Sequence, residues 1–110
     1  MNIIQSKEEF NEITKKEVNY ILYFSDGACS VGNAVEPQVY EMIRISFPKL
    51  KIYSILTSIT PEIGAQLSVF AIPTVLVYID KKLSIQKSRV FSISELENEI
   101  SRYYRLFFDN

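Results

Sequence analysis

Apolar and polar residues change rhythm several times along this chain, and each change predicts an element. Tyr20 to Phe24 is an unbroken apolar run. Without alternation it reads as a strand, Asn19 to Ser25, buried on both faces. Val75 to Ile79 is a second continuous apolar strand. Between the two, Val31, Val35, Val39, Met42, Ile43 and Phe47 recur at helical spacing, which predicts a helix from Cys29 to Phe47. Pro37 lies inside that helix, where proline removes a hydrogen bond and kinks the axis, and Pro48 stops it. Lys51 to Thr57 alternates weakly through Ile52, Tyr53, Ile55 and Leu56 and reads as a strand.

The flanking segments carry start and stop signals. Met1 to Ile4 is expected as a very short edge strand. Ser6 and Glu9 form a capping box that opens a helix from Lys7 to Lys16, with Phe10 and Ile13 on its apolar face. Thr60-Pro61 is a hydroxyl cap followed by proline, predicting a short helix that ends near Val69. Phe70 to Thr74 is a connection. Asp80-Lys81-Lys82 is a tight turn, and Leu83 to Val90 returns as the second arm of an antiparallel hairpin. Ser92 and Glu95 open the last helix, with Leu96, Ile100, Tyr103 or Tyr104, and Phe107 on one face. Phe108 and one tyrosine are then left to solvent, and such an apolar patch would favour self-association. The order β-α-β-α-β-α-β-β-α predicts one α/β domain over residues 1–110, with a mixed central sheet and helices on both faces.

Composition narrows the chemistry. With 47% hydrophobic residues in 110, the chain can hold a core without disulfides. A net charge of −1 with no basic patch argues against nucleic acid as a partner. There is no histidine and one cysteine, Cys29. That excludes an internal disulfide, a Cys/His zinc site within one chain, and every mechanism with a histidine base. No metal or cofactor is expected. The run from Val69 to Ile79 is short and broken by Pro73, so no membrane span is expected. The N-terminus turns acidic at Glu8 and Glu9, too early for a secretory signal, which points to the cytoplasm.

The candidate chemistry lies in Asp26-Gly27-Ala28-Cys29-Ser30-Val31-Gly32, between the first buried strand and the long helix. The first turn of a helix has unpaired N–H groups and partial positive charge, which stabilise a thiolate, the reactive form of cysteine. Ser30 can add a donor, and a nearby Asp26 carboxylate would oppose ionisation. The alternative is that Cys29 is an inert small core residue. Gly32 costs roughly 1 kcal/mol against alanine in a helix. It either lets a partner approach or is a vacated position.

These features together resemble the thioredoxin family along nearly the whole chain. Cys29 stands where that family has the first cysteine of its Cys-x-x-Cys motif, Pro37 where it has the helix-kinking proline, and Ile72-Pro73-Thr74 matches the Ile-Pro-Thr before its fourth strand. The separation of Cys29 and Pro73, 44 residues, is also the family's. The resemblance implies that Pro73 is cis beside the thiol and that Ile72 offers its backbone to an extended client peptide.

The departures limit what is implied. Gly32 replaces the second cysteine, while Ala28 and Ser25 replace two tryptophans. Tyr23 aligns with the family's buried aspartate and Ser54 with the lysine that accompanies it. Phe91 is aligned with a glycine that leaves room for the client; it either caps that groove or packs the sheet end. The expected function is thiol–disulfide exchange through Cys29 alone, with Ser30, Gly32, Ile72, Pro73 and Phe91 contacting the client. A protein or peptide client forms a mixed disulfide, and an external thiol, such as a small-molecule thiol, resolves it. Two alternatives stay open: an adaptor that binds without redox turnover, and a second cysteine supplied by another chain.

Overall fold

The computed structural model describes residues 2–26 and 31–108, with backbone only at 31–34. The elements are α1 (Lys7–Lys16), β1 (Tyr20–Ser25), α2 (Val31–Ser46), β2 (Lys51–Leu56), α3 (Pro61–Gln66), β3 (Thr74–Ile79), β4 (Lys82–Ser88) and α4 (Ile93–Phe108). The strands form one mixed sheet in the order β2-β1-β3-β4. Strands β1 and β2 run parallel, and β1–β3 and β3–β4 run antiparallel. At the N-terminus there is a single parallel bridge, Ile3 to Ser54, rather than a strand over residues 1–4. It is made by Ile4 N–H to Ser54 O (2.9 Å) and Ser54 N–H to Asn2 O (2.7 Å).

Strand β1 is buried along its whole length, as its unbroken apolar run requires. Its side chains alternate between two cores. Ile21 and Tyr23 point to one side with Val39, Ile43, Val75, Val77, Leu96 and Ile100, beneath α2 and α4. Tyr20, Leu22 and Phe24 point to the other with Phe10, Ile55, Ile63 and Leu76, beneath α1 and α3. This is a three-layer α/β arrangement with helices on both faces of the sheet.

Local signals decide most boundaries. Ser6 Oγ accepts from Glu9 N–H at 3.1 Å, and Glu9 reaches back to Gln5 N–H (2.6 Å), one residue earlier than the usual reciprocal bond. Ser92 Oγ accepts from Glu95 N–H at 3.2 Å. Thr60 behaves differently from its expected role. It precedes α3, but its hydroxyl makes no cap bond, and Thr60 Oγ1 is buried without a partner among the described residues. Helix α3 is accordingly short, ending at Gln66 rather than near Val69.

The tail also differs from expectation. Tyr104 packs against Phe47 (centroids 5.1 Å apart) and Phe108 (4.5 Å), and Lys49 Nζ lies 5.1 Å from the Phe108 ring centre. Phe108 is therefore held in, while Tyr103, Leu106 and Phe107 are exposed. The extra contacts come from the 47–49 turn, which meets the end of α4 on the side of Tyr104 and Phe108. No helix among the described residues is long and apolar enough to cross a membrane.

Candidate functional site

Strand register builds the site. Phe24 of β1 lies opposite Thr74 of β3, and Ser25 opposite Leu56 of β2. Asp26, the last described residue before Cys29 in the chain, thus follows a strand end that lies beside the entry to β3. Cys29 and Ser30 themselves fall outside the described residues, and Gly32 is placed only as backbone in the first turn of α2.

The entry to β3 is tightly held. The Ile72–Pro73 peptide bond is cis. Thr74 Oγ1 donates to Ala71 O at 2.6 Å and lies 3.0 Å from Ser88 Oγ. Arg89 N–H donates to Pro73 O at 2.7 Å, which ties the end of β4 to the same loop. Around these bonds the surface is apolar. Ile72 is 38% exposed, Phe70 85% and Val90 96%. Ile72 and Pro73 are thus brought together on an accessible edge, next to the end of β1.

Phe91 comes two residues after Arg89, whose backbone is bonded to Pro73. It is half-buried and packs against the core beneath α2 and α4, in company with Ile93, Tyr104 and Phe108. The residue of this loop whose backbone favours glycine is Arg89, two positions earlier, with φ 66°.

Beneath α2 lies a polar seam that sequence reasoning missed. Glu36 is only 6% exposed. Ser54 Oγ donates to Glu36 Oε2 in a very short contact, and Tyr40 OH lies 2.7 Å from Ser54 Oγ. Because the one Ser54 hydroxyl proton goes to Glu36, Tyr40 must be the donor to Ser54. The chain of donors therefore runs Tyr40, Ser54, Glu36. Burial raises the Tyr40 pKa. Tyr23, the neighbour of Ser54 across the β1–β2 pair, is fully buried, and burial followed by the Glu36 charge pushes its pKa up to about 12.

So the two positions expected to have lost a charged pair, Tyr23 and Ser54, stand side by side on the α2 face, and an acid from the helix reaches that face. The signal was present in the spacing. Glu36 precedes Val39, Tyr40 and Ile43 by three, four and seven residues, so it sits on the buried stripe of α2. Ser25 Oγ, at the end of β1, is a further buried polar atom without a hydrogen-bond partner among the described residues.

Comparison with known proteins places this geometry. No family model matches the chain. The chain is 28% identical over 107 residues to the thioredoxin-like protein YdfQ of Bacillus subtilis, covering 97% of this chain and 95% of that protein. Among solved structures, thioredoxin 1 from Thermosipho africanus is 32% identical, with TM-score 0.71 over 79% of this chain and 96% of that one. Thioredoxin O2 from Arabidopsis thaliana superposes with TM-score 0.83 at 18% identity, over 94% of this chain and 93% of that one.

Proposed function

The chain belongs to the thioredoxin-like family, and we propose that it takes part in thiol–disulfide exchange through the single thiol of Cys29. The Cys29 thiolate attacks one sulfur of a client disulfide. A Cys29–client disulfide forms, and the other client sulfur leaves as a thiolate that takes up a proton. An external thiolate then attacks the client sulfur of this mixed disulfide, so that an external-thiol–client disulfide forms, the Cys29–client bond breaks and Cys29 leaves as the thiolate. With Gly32 in place of a second cysteine, no internal thiol can perform that release. The exchange is assigned to the cytoplasm, where small thiols are abundant. Ile72 and Pro73 supply the client wall.

The observation that supports this reading most is the register that sets the end of β1, four residues before Cys29, beside the exposed Ile72–Pro73 edge. Alkylation of Cys29 by iodoacetamide across pH tests it. A thiol pKa below the ~8.5 of a free cysteine is expected. A value at or above the free thiol, or a thiol that does not react in the folded protein, overturns the reading. The missing second cysteine also favours a rival, an adaptor that binds without turnover. Unchanged client binding and an unchanged phenotype in Cys29→Ser would select it.

A further inference from the structure

Arg89 is in an unusual position for an arginine. Its φ of 66° is in the left-handed region, which glycine adopts more readily than any residue with a Cβ. Its N–H is committed to Pro73 O. Its side chain is exposed and in no ion pair among the described residues. The neighbouring cation, Lys87, is taken by Glu99 at 2.6 Å. Exposed Ser88 precedes this cation and exposed Val90 follows it, and the exposed apolar side chains of Ile72 and Phe70 lie on the loop to which its backbone is bonded. The backbone bond to Pro73 fixes where this side chain leaves the loop, and a cation without a partner beside exposed apolar side chains suits a ligand that brings both an apolar contact and a negative charge.

We propose that Arg89 is a specificity-determining residue that selects clients carrying an acidic side chain near the cysteine within an extended apolar segment. This deepens the exchange function proposed above and rests on it for the identity of the edge.

The test uses two blocked peptides, Glu-Val-Cys-Val-Glu and Gln-Val-Cys-Val-Gln, each with its cysteine joined to 2-thiopyridine. The Cys29 thiolate attacks the peptide sulfur and forms the protein–peptide disulfide. The peptide–pyridine S–S bond breaks, and the pyridinethiolate takes a proton and leaves as the coloured thione. The full-length protein is expected to react roughly two- to fivefold faster with the acidic peptide, the range an exposed ion pair supplies, and the ratio should narrow as salt is raised. Arg89→Lys keeps the preference, Arg89→Ala brings the ratio to one, and Arg89→Glu inverts it.

In parallel, amide NMR shifts of Cys29→Ser titrated with the same sequences, serine replacing cysteine, read binding without exchange. Equal rates for the two peptides in the unaltered protein overturn the role of Arg89 while leaving exchange intact. Loss of exchange with preferential binding of the acidic peptide overturns the exchange reading and leaves Arg89 standing. If neither peptide reacts and neither binds, both fail.

Discussion

The two faces of the sheet are packed by different chemistry. Beneath α1 and α3 the interior is hydrocarbon and ring: Leu22, Phe24, Ile55, Ile63 and Leu76, with Tyr20 stacked on Tyr78 at 4.7 Å. Beneath α2 and α4 a similar apolar core is interrupted by Tyr23, Ser54, Tyr40 and Glu36. The buried acid occurs on the face of the helix that follows Cys29, whereas the buried polar group at the start of α3 is the neutral Thr60 hydroxyl. The difference is one of kind: the α1 and α3 face buries neutral groups, and the α2 face also buries a carboxyl group with its donors. A buried acid is stabilising only while its hydrogen bonds are complete, so the α2 face has more to lose from a single polar change.

The sharpest way to break the comparison is to open the apolar face. Phe24→Ala should cost about 3–5 kcal/mol through lost burial and the cavity it leaves, read as the shift in urea midpoint at constant slope. A loss below 1 kcal/mol would mean that this face is not the tightly packed one. Next in size, Glu36→Ala leaves Ser54 and Tyr40 without their terminal acceptor and should cost roughly 1–3 kcal/mol. Glu36→Ala combined with Ser54→Ala should lose less than the sum of the two single changes, because both belong to one chain of bonds. Strict additivity would show that the chain of donors does not form in solution.

Alkali touches both faces. Tyr20 on one and Tyr23 on the other have pKa values raised to about 12 by burial, followed for Tyr20 by Tyr78 and for Tyr23 by the Glu36 charge. Between about pH 10 and 12 the unfolded chain releases these protons and the folded chain keeps them. Stability should then fall with rising pH by about 1.4 kcal/mol per pH unit for each tyrosine. Thermal melts at constant ionic strength check this, and Tyr20→Phe and Tyr23→Phe should each flatten the slope. A stability that is flat over that window would refute the burial of both rings. The smallest effect should come from Lys87→Ala, which breaks the ion pair joining β4 to Glu99 of α4 at the protein surface. Its unfolding midpoint should be close to that of the unaltered protein.

Much of this architecture was legible in the residue pattern, for physical reasons that also explain what was not. Tyr20 to Phe24 has no polar position to turn outward, so a two-sided burial was the only outcome. Val39, Met42, Ile43 and Phe47 show their face by spacing alone. Thr60 was misjudged because a hydroxyl before Pro61 can cap only if it points back along the helix, and here it turns into the core. Phe107 and Phe108 are one residue apart, about 100° around the helix, so which of them packs depends on where the 47–49 turn meets α4. Glu36 was overlooked because charges on helices are usually solvated, although its place in the stripe gave it away. Arg89 had no local signal at all. Its left-handed backbone exists because its N–H meets a carbonyl 16 residues earlier in the chain, at Pro73.

The Ile3–Ser54 bridge has a consequence for crowded solutions. By pairing with Ser54, residues 2–4 occupy part of the outer edge of β2, and a strand whose N–H and C=O groups are already taken cannot recruit a second molecule there. The opposite edge, β4, carries Lys82 and Lys87 and faces a register break between Val77 and Tyr78. Charge and irregular pairing both discourage edge-to-edge growth. The sheet is thereby guarded at both margins by different means, and removal of residues 2–4 would leave the β2 side open to fibril-like association at high concentration.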